Sequence, residues 1–346
     1  MTKYIDIQSI SNDIDYNNLI KKVGNSILNG ELVIFPTDTV YGIGTNAFNS
    51  SAVKKIYSVK NRSLDNPINL LVNNIDMIKS ITTNITKLEY RLIETFLPGA
   101  FSIILPKNNL IPNIVTANSN FVGIRIPNNK IALDLINSTN KPIATTSANI
   151  SGKISSTYVT DIINEFNQNT SYILDNGISD IGLESTIVQV INNSVHILRL
   201  GSILPEDIKK ITPNNVILKT DNIPSNNLVH YETNSNNTVI YSKDNIEMVN
   251  KIYTLSISKA SSAILCSDEN VDLYTNLLSK HTNVEIFSYG TKNNLNLISK
   301  NLFHRLYEIN KKSFNNIFIE GFEKAGLGIT LMDKLLNISK GNYIEL

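Results

Sequence analysis

The sequence predicts an α/β protein of two domains: an α/β sheet domain over residues 1–212 and a smaller doubly wound domain over residues 238–346. Three observations carry this prediction. Short apolar runs alternate with amphipathic stretches along most of the chain, the pattern of a sheet layered with helices. That pattern stops across residues 213–237, where KTDNIPSNNLVHYETNSNN is polar, rich in Asn and Ser, and aperiodic, as a linker is. It then restarts with strands spaced by single helical segments, the arrangement of βαβ units.

In the first domain Leu19, Val23 and Ile27 recur one helical turn apart and Gly30 follows as a stop, predicting a helix. LVIFPT reads as a short buried strand ending at Pro36. Val53, Ile56 and Tyr57 predict a helix capped near Ser50 or Ser51. INLLV, FSIIL and VGIRIP read as strands, with LPG as a turn before the second. Lys130 to Ser138 reads as a helix, and PIATT as a strand entering the polar turn SANISG. YILD, STIVQVI and HILRL complete the strands of this domain. In the second, TVIYS, SAILCS, NVEIFSYG and NNIFIEG are strands, and LGITLMDKLLNIS closes the chain as an amphipathic helix.

Composition excludes several classes. A formal net charge of +1 does not suit a polycation that coats nucleic acid, so an anion site has to be a local cluster. The single cysteine, Cys266, rules out an internal disulfide and a cysteine-rich zinc centre. His196, His230, His281 and His304 are scattered without metal-ligand spacing. The opening MTKYIDIQSI does not read as a signal peptide, and no apolar run reaches membrane-spanning length, so a cytosolic protein is expected. The abundant Asn, Ile and Lys read as a bias of the source genome.

Four cations stand out. Lys60 and Arg62, two apart in SVKNRSLDNP, either converge on a phosphate or form a solvated pair at a helix end. Arg125 sits between apolar residues in FVGIRIP, where it meets either an anion or a buried carboxylate. Arg199 in HILRLG repeats that placement before Gly201. The turns PTDTVYGIG, TTSANISG and GLEST set hydroxyls and amides beside strand ends, where open α/β sheets bind ligands. The same residues also serve as caps and turn formers. There is no GxxxxGK[ST], no strand-borne GxGxxG and no HExxH, and no Ser-His-Asp order stands out because every histidine lies far from these turns in sequence, which fits a reaction without a covalent protein nucleophile.

PTDTVYGIG, VKNRSLDNP, LPGAFSIIL, VGIRIP, PIATTSANISG, GLESTIV and ILRLG, in this order between about residues 31 and 201, resemble the threonylcarbamoyl-AMP synthase family with the YrdC-like fold. The tail resembles the extra domain of its two-domain members. The resemblance implies a YrdC-like twisted mixed sheet followed by a Rossmann-like domain, with threonine and ATP bound on the concave face of the sheet. By family pattern Thr39, Arg125, Thr145 and Ser185 face threonine or its carbamate. Lys60, Arg62, Asn66, Ser147, Asn149, Ser155 and Arg199 face ATP, with Lys60 and Arg62 as the catalytic cations. Tyr231 and His230 persist where the family's lid motif ends, so residues 213–237 are expected to cover ATP through Tyr231. Leu71 stands where the family usually has His, and Thr146 where many members have Pro.

The implied reaction joins L-threonine, bicarbonate and ATP, with Mg2+ on the triphosphate, into threonylcarbamoyl-AMP and pyrophosphate. A downstream tRNA threonylcarbamoyltransferase would take the adenylate to the adenosine next to the anticodon; no membrane is implied, and contact with tRNA itself is not required. The alternative is a non-catalytic RNA-binding or ribosome-maturation protein using the same concave basic face, which the near-neutral charge disfavours. A hydrogenase-maturation carbamoyltransferase shares the module but adds cysteine-rich zinc segments, which one cysteine cannot form.

Overall fold

The structure is a computed structural model that describes residues 2–155, 157–213, 215–218 and 235–346. Two compact units meet in sequence between Leu218 and Ser235. The first contains β1 (Lys3–Asp6), α1 (Asp13–Leu28), β2 (Val33–Phe35), β3 (Gly42–Asn46), α2 (Ser50–Lys60), β4 (Asn69–Leu71), α3 (Ile75–Ile81) and α4 (Lys87–Phe96). It continues through β5 (Phe101–Pro106), β6 (Phe121–Arg125), α5 (Lys130–Thr139), β7 (Ile143–Ser147), α6 (Val159–Phe166) and β8 (Tyr172–Asp175). β9 (Thr186–Ile191), β10 (Ser194–Arg199), α7 (Pro205–Ile211) and β11 (Val216–Leu218) complete it.

The strands form one mixed sheet in the order β1-β8-β2-β3-β7-β4-β6-β5-β9-β10-β11. Helices cover both faces, so the central strands are apolar on both sides rather than alternating with polar residues. β2 shows this: Val33 and Phe35 pack with Val23 and Ile27 of α1 and Leu135 of α5, while Ile34 packs with Val53 and Ile56 of α2. The run LVIF is therefore apolar throughout.

Asparagine has a structural use here. The side chains of Asn12, Asn49, Asn74 and Asn129 each accept a hydrogen bond from an amide in the first turn of the helix they precede. Asn61 and Asn140 end α2 and α5 in the left-handed conformation, with φ of 51° and 48°. The cap of α2 is thus Asn49, one residue before the expected Ser50 or Ser51, because its carboxamide oxygen reaches the Ala52 amide at 3.0 Å.

Three elements escape the sequence pattern. GIGTN forms β3, a strand that hydrophobic periodicity does not mark because two of its five residues have no side chain. Val216–Leu218 lies inside the expected linker, yet it pairs in parallel with β10 as β11. The chain also closes on a strand after its last helix.

The second unit runs β12 (Asn236–Tyr241), α8 (Asn245–Ile257), β13 (Ser262–Cys266), α9 (Asp268–Leu277), β14 (Val284–Ser288), α10 (Leu295–Lys311), β15 (Asn316–Glu320), α11 (Leu327–Ile338) and β16 (Tyr343–Glu345). Its five strands are parallel, in the order β14-β13-β15-β12-β16. Among the described residues no helix is long and apolar enough to cross a membrane.

The α2 cap provides a test. Asn49→Ala should lower stability by about 1 kcal/mol, the usual scale for losing an N-cap. Ser50→Ala and Ser51→Ala should change it by less than about 0.5 kcal/mol, as surface substitutions do. Urea unfolding of the three variants measures this, and an equal loss at Ser50 would reassign the cap.

Candidate active site

The site residues of the first unit lie at strand ends that the ladder does not itself bring together. Phe35 is level with Gly42, and Gly42 with Ser147, so the turns after β2 and β7 share one end of the sheet. Arg125 is level with Leu71, and Leu71 with Ile143, four residues back along β7 from Ser147. In register, Arg125 therefore stands away from the Ser147 end. It shares its own end with the start of β5, the start of β9 and the end of β10, since Phe101 pairs with Thr186 and Arg199 with Ile187.

The turn after β2 bridges the two ends. Arg125, buried at the end of β6, donates from Nε to the Gly99 carbonyl at 2.9 Å and from one terminal nitrogen to Thr39 Oγ1 at 2.6 Å. Its other terminal nitrogen meets Asp38 Oδ1 in a buried ion pair. The Asp38 and Thr39 carbonyls accept from the amides of Ile181 and Gly182 at 2.9 and 3.0 Å, which fixes the GLEST turn against the PTDT turn. Of the two expectations for Arg125, the carboxylate partner is present. The second Asp38 oxygen is buried and has no hydrogen-bond partner among the described residues.

Arg199 organises the neighbouring cluster. Its Nε and one terminal nitrogen donate to the Ser185 carbonyl at 3.1 and 2.8 Å, and the latter also reaches Ser185 Oγ at 3.1 Å. Its other terminal nitrogen lies 3.3 Å from Glu184, whose carboxylate also accepts from Ser155 Oγ at 2.9 Å. Ser185 Oγ is 2.8 Å from Ser102 Oγ. Gly201 is required here: a Cβ on it would stand 2.4 Å from the Glu184 carbonyl oxygen and 2.4 Å from the Thr186 amide nitrogen.

Lys60 and Arg62 leave α2 differently from the expectation of two open cations. Lys60 is 1% exposed, and its Nζ donates to the carbonyls of Ser147 and Asn149. Burial pushes its basicity down to about 7, with Arg62 adding to the shift and Glu184 and Glu165 opposing it. An ammonium has three N–H groups, and two of them are used on these carbonyls. Lys60 thus ties α2 to the SAN turn. Arg62 donates to the carbonyls of Asn66 at 3.1 Å and Pro67 at 2.8 Å, which closes its own loop. Burial also lowers the basicity of Arg62, ahead of smaller effects from Tyr57, Arg199 and Glu184.

The expected site residues therefore form four groups. Thr39 joins Arg125, Ser155 and Ser185 join Arg199, and Ser147 and Asn149 join Lys60, with Asn66 holding Arg62. Thr145 sits on β7, donating to the Ile143 carbonyl at 3.3 Å. The charge of Arg199 is felt at both Arg125 and Arg62, so the groups are neighbours. Tyr231 and the expected lid lie outside the described residues. The sequence marks Asp38 only as one polar residue of the PTDT turn, not as the partner of Arg125, and does not single out Glu184. Each stands inside a quoted turn, PTDT and GLEST, and a carboxylate there was a signal that an arginine had a local partner.

A family model for Sua5, yciO and yrdC proteins, described as Telomere recombination, matches residues 25–201. A second, described as Threonylcarbamoyl-AMP synthase, C-terminal domain, matches residues 203–337. The threonylcarbamoyl-AMP synthase of Pyrococcus abyssi is 30% identical, over 94% of this chain and 95% of its own. That of Bacillus subtilis is 31% identical, over 91% of each. The crystal structure of P. abyssi Sua5 complexed with L-threonine superposes with a TM-score of 0.87 at 28% identity, covering 100% of both chains.

Lys60 holds its proton more weakly in the fold than in the unfolded chain, so folding becomes less favourable as pH falls from 10.5 toward about 7. Between about pH 7 and about pH 9, wild-type stability should rise relative to that of Lys60→Met. Urea unfolding at both values measures the difference. Parallel slopes would show that Lys60 keeps its ordinary basicity.

Proposed function

Because the chain belongs to the threonylcarbamoyl-AMP synthase family, we propose that it joins L-threonine, bicarbonate and ATP into threonylcarbamoyl-AMP and pyrophosphate. The adenylate would then be handed to a tRNA threonylcarbamoyltransferase for N6-threonylcarbamoyl modification of the adenosine next to the anticodon. The observation that carries this reading is the Arg125 cluster. Arg125 spends three N–H groups on Gly99, Thr39 and Asp38. A guanidinium has five, so one remains on each terminal nitrogen, a fork that fits a carboxylate. Thr39 beside it accepts from Arg125 and lies 3.0 Å from Thr37 Oγ1, which fixes its hydroxyl next to that fork.

In the proposed reaction the threonine amine attacks the bicarbonate carbon, and water leaves to give a carbamate. A carbamate oxygen then attacks the α-phosphorus of ATP, and pyrophosphate departs with the electron pair of the broken P–O bond. Arg125 and Thr39 hold the amino acid. Arg62 and Arg199, anchored by backbone carbonyls and Ser185, stabilise the charge that moves onto the leaving phosphates. Lys60 holds the Ser147–Asn149 turn, so the amides and hydroxyls there need no reorganisation when ATP arrives. Mg2+ enters with the triphosphate as part of the substrate and supplies charge neutralisation there.

Pyrophosphate release should require L-threonine and bicarbonate together, measured by omitting each in turn. Alanine should turn over far more slowly, since a site built to bond a hydroxyl rejects a ligand without one. Equal turnover with alanine would sink the substrate assignment.

Arg62→Ala should stay folded with a melting point lowered by the loop bonds it loses, and release pyrophosphate about 100-fold more slowly, the scale of one lost preorganised donor. Arg62→Lys should also be impaired, because an ammonium lacks the planar fork. A folded Arg62→Ala protein with normal turnover would remove Arg62 from the site.

A further inference from the structure

The proposed chemistry draws on no described residue beyond Arg199, which leaves the second unit without a task. Its sheet holds a crevice of about 470 Å³ lined by residues that follow the carboxyl ends of its strands. β12 and β15 are parallel neighbours, yet the chain leaves them in opposite directions. From β12 it passes β15 to reach β13, and from β15 it passes β12 to reach β16. The helices that follow belong to different layers, α8 packing with α9 and α11 with α10. The two loops therefore part between these strands, and an open α/β sheet binds ligands at such a parting.

The charged lining of this crevice is Lys243, Lys292, Glu269 and Glu323, and of the two cations Lys292 is the one held in place by hydrogen bonding. Its ammonium donates to Asn245 Oδ1 at 2.6 Å and lies 3.8 Å from the fully buried carboxylate of Glu320. Glu320 already accepts from the Ser267 amide at 3.0 Å, Asn270 Nδ2 at 2.6 Å, and the hydroxyls of Tyr274 and Tyr289 at 3.0 and 3.3 Å. Neutral donors thus fill its lone pairs. Lys292 balances its charge from a distance and keeps N–H groups for the crevice. Glu269, also on the wall, is occupied by the Thr291 hydroxyl and the Lys292 amide. Tyr241, Met248 and Phe322 add an apolar wall. The α11 side of the opening carries no side-chain cap, because its N-cap is Gly326.

We propose that this crevice binds a mononucleotide, with its base on the wall of Tyr241, Met248 and Phe322 and its phosphate on Lys292. A compact ammonium suits a phosphate, and the volume falls in the range of small-ligand sites.

Calorimetric titration of the full chain with AMP tests this, beside adenosine and inorganic phosphate. The proposed synthase pocket also takes an adenine nucleotide, so Arg199→Ala is titrated in parallel. The wild type should show two classes of AMP site, one weakened in Arg199→Ala and the other in Lys292→Met. Loss at Lys292 should be roughly tenfold or more, the scale of one charge-assisted hydrogen bond. Leu295→Trp, which fills the crevice and keeps Lys292, should remove the same class, and guards against a folding defect in Lys292→Met. Adenosine and phosphate should each bind the crevice more weakly than AMP. AMP binding that Lys292→Met and Leu295→Trp leave unchanged, or no AMP binding at all, overturns the proposal. Phosphate binding the crevice as tightly as AMP overturns the nucleotide assignment. AMP binding that responds to Lys292→Met but not to Arg199→Ala supports the crevice and counts against the synthase pocket instead.

Discussion

The buried ion pair between Arg125 and Asp38 is the constraint on which the rest of the first unit's site depends. A guanidinium taken out of water is costly, and burial lowers its basicity more than Asp38 restores it. The cost is offset because all three of its nitrogens are engaged: Nε by Gly99, and the terminal two by Thr39 and Asp38, with one N–H left on each of these for a ligand. Removing any partner would leave a buried charge or polar group unmet. That is why the PTDT turn is held against the end of β6, and why the GLEST turn, bonded to the Asp38 and Thr39 carbonyls, is held with it.

The other cations obey the same logic. Arg199 closes on the Ser185 carbonyl and Glu184, Arg62 on the Asn66 and Pro67 carbonyls, and Lys60 on Ser147 and Asn149. Each is immobilised by main chain that is itself fixed in the sheet or in a short turn. Positive charges brought together in a partly dry site repel, and carbonyl oxygens and carboxylates relieve that repulsion before any ligand arrives. A site of this kind is preorganised: its donors already point where charge would develop, and little reorganisation remains for a reaction to drive.

The second unit manages buried charge by a different route. Glu320 sits at the end of β15 with no exposure, surrounded by two tyrosine hydroxyls, an amide side chain and a backbone amide. Such a carboxylate has to be almost completely hydrogen-bonded to be tolerated. The result is a rigid floor beneath the point where the loops after β12 and β15 separate. In both units, then, one buried ionised group decides how the loops around it are placed.

Most of the secondary structure was legible in the sequence, because apolar periodicity reports directly on burial. Val33, Ile34 and Phe35 read as a strand, and Leu19, Val23 and Ile27 as a helix face, since each must be out of water. GIGTN and Val216–Leu218 were not legible. The first has too few side chains to carry a period, and the second is half-exposed and held by pairing with β10. The abundance of asparagine looked like a genomic bias, and only the helix ends show it capping them. The residues of the candidate site were visible as types: arginines among apolar neighbours and hydroxyls after strands. The sequence by itself determined that Arg125 needed a partner, because a strand of apolar residues offers none. Only the tertiary structure decided that the partner is Asp38 and not a bound anion alone, and that Lys60 faces carbonyls instead of solvent. Those outcomes depend on how a turn crosses from one end of the sheet to the other and on how α2 meets the SAN turn. They are contacts between segments about 87 residues apart, which local pattern does not encode.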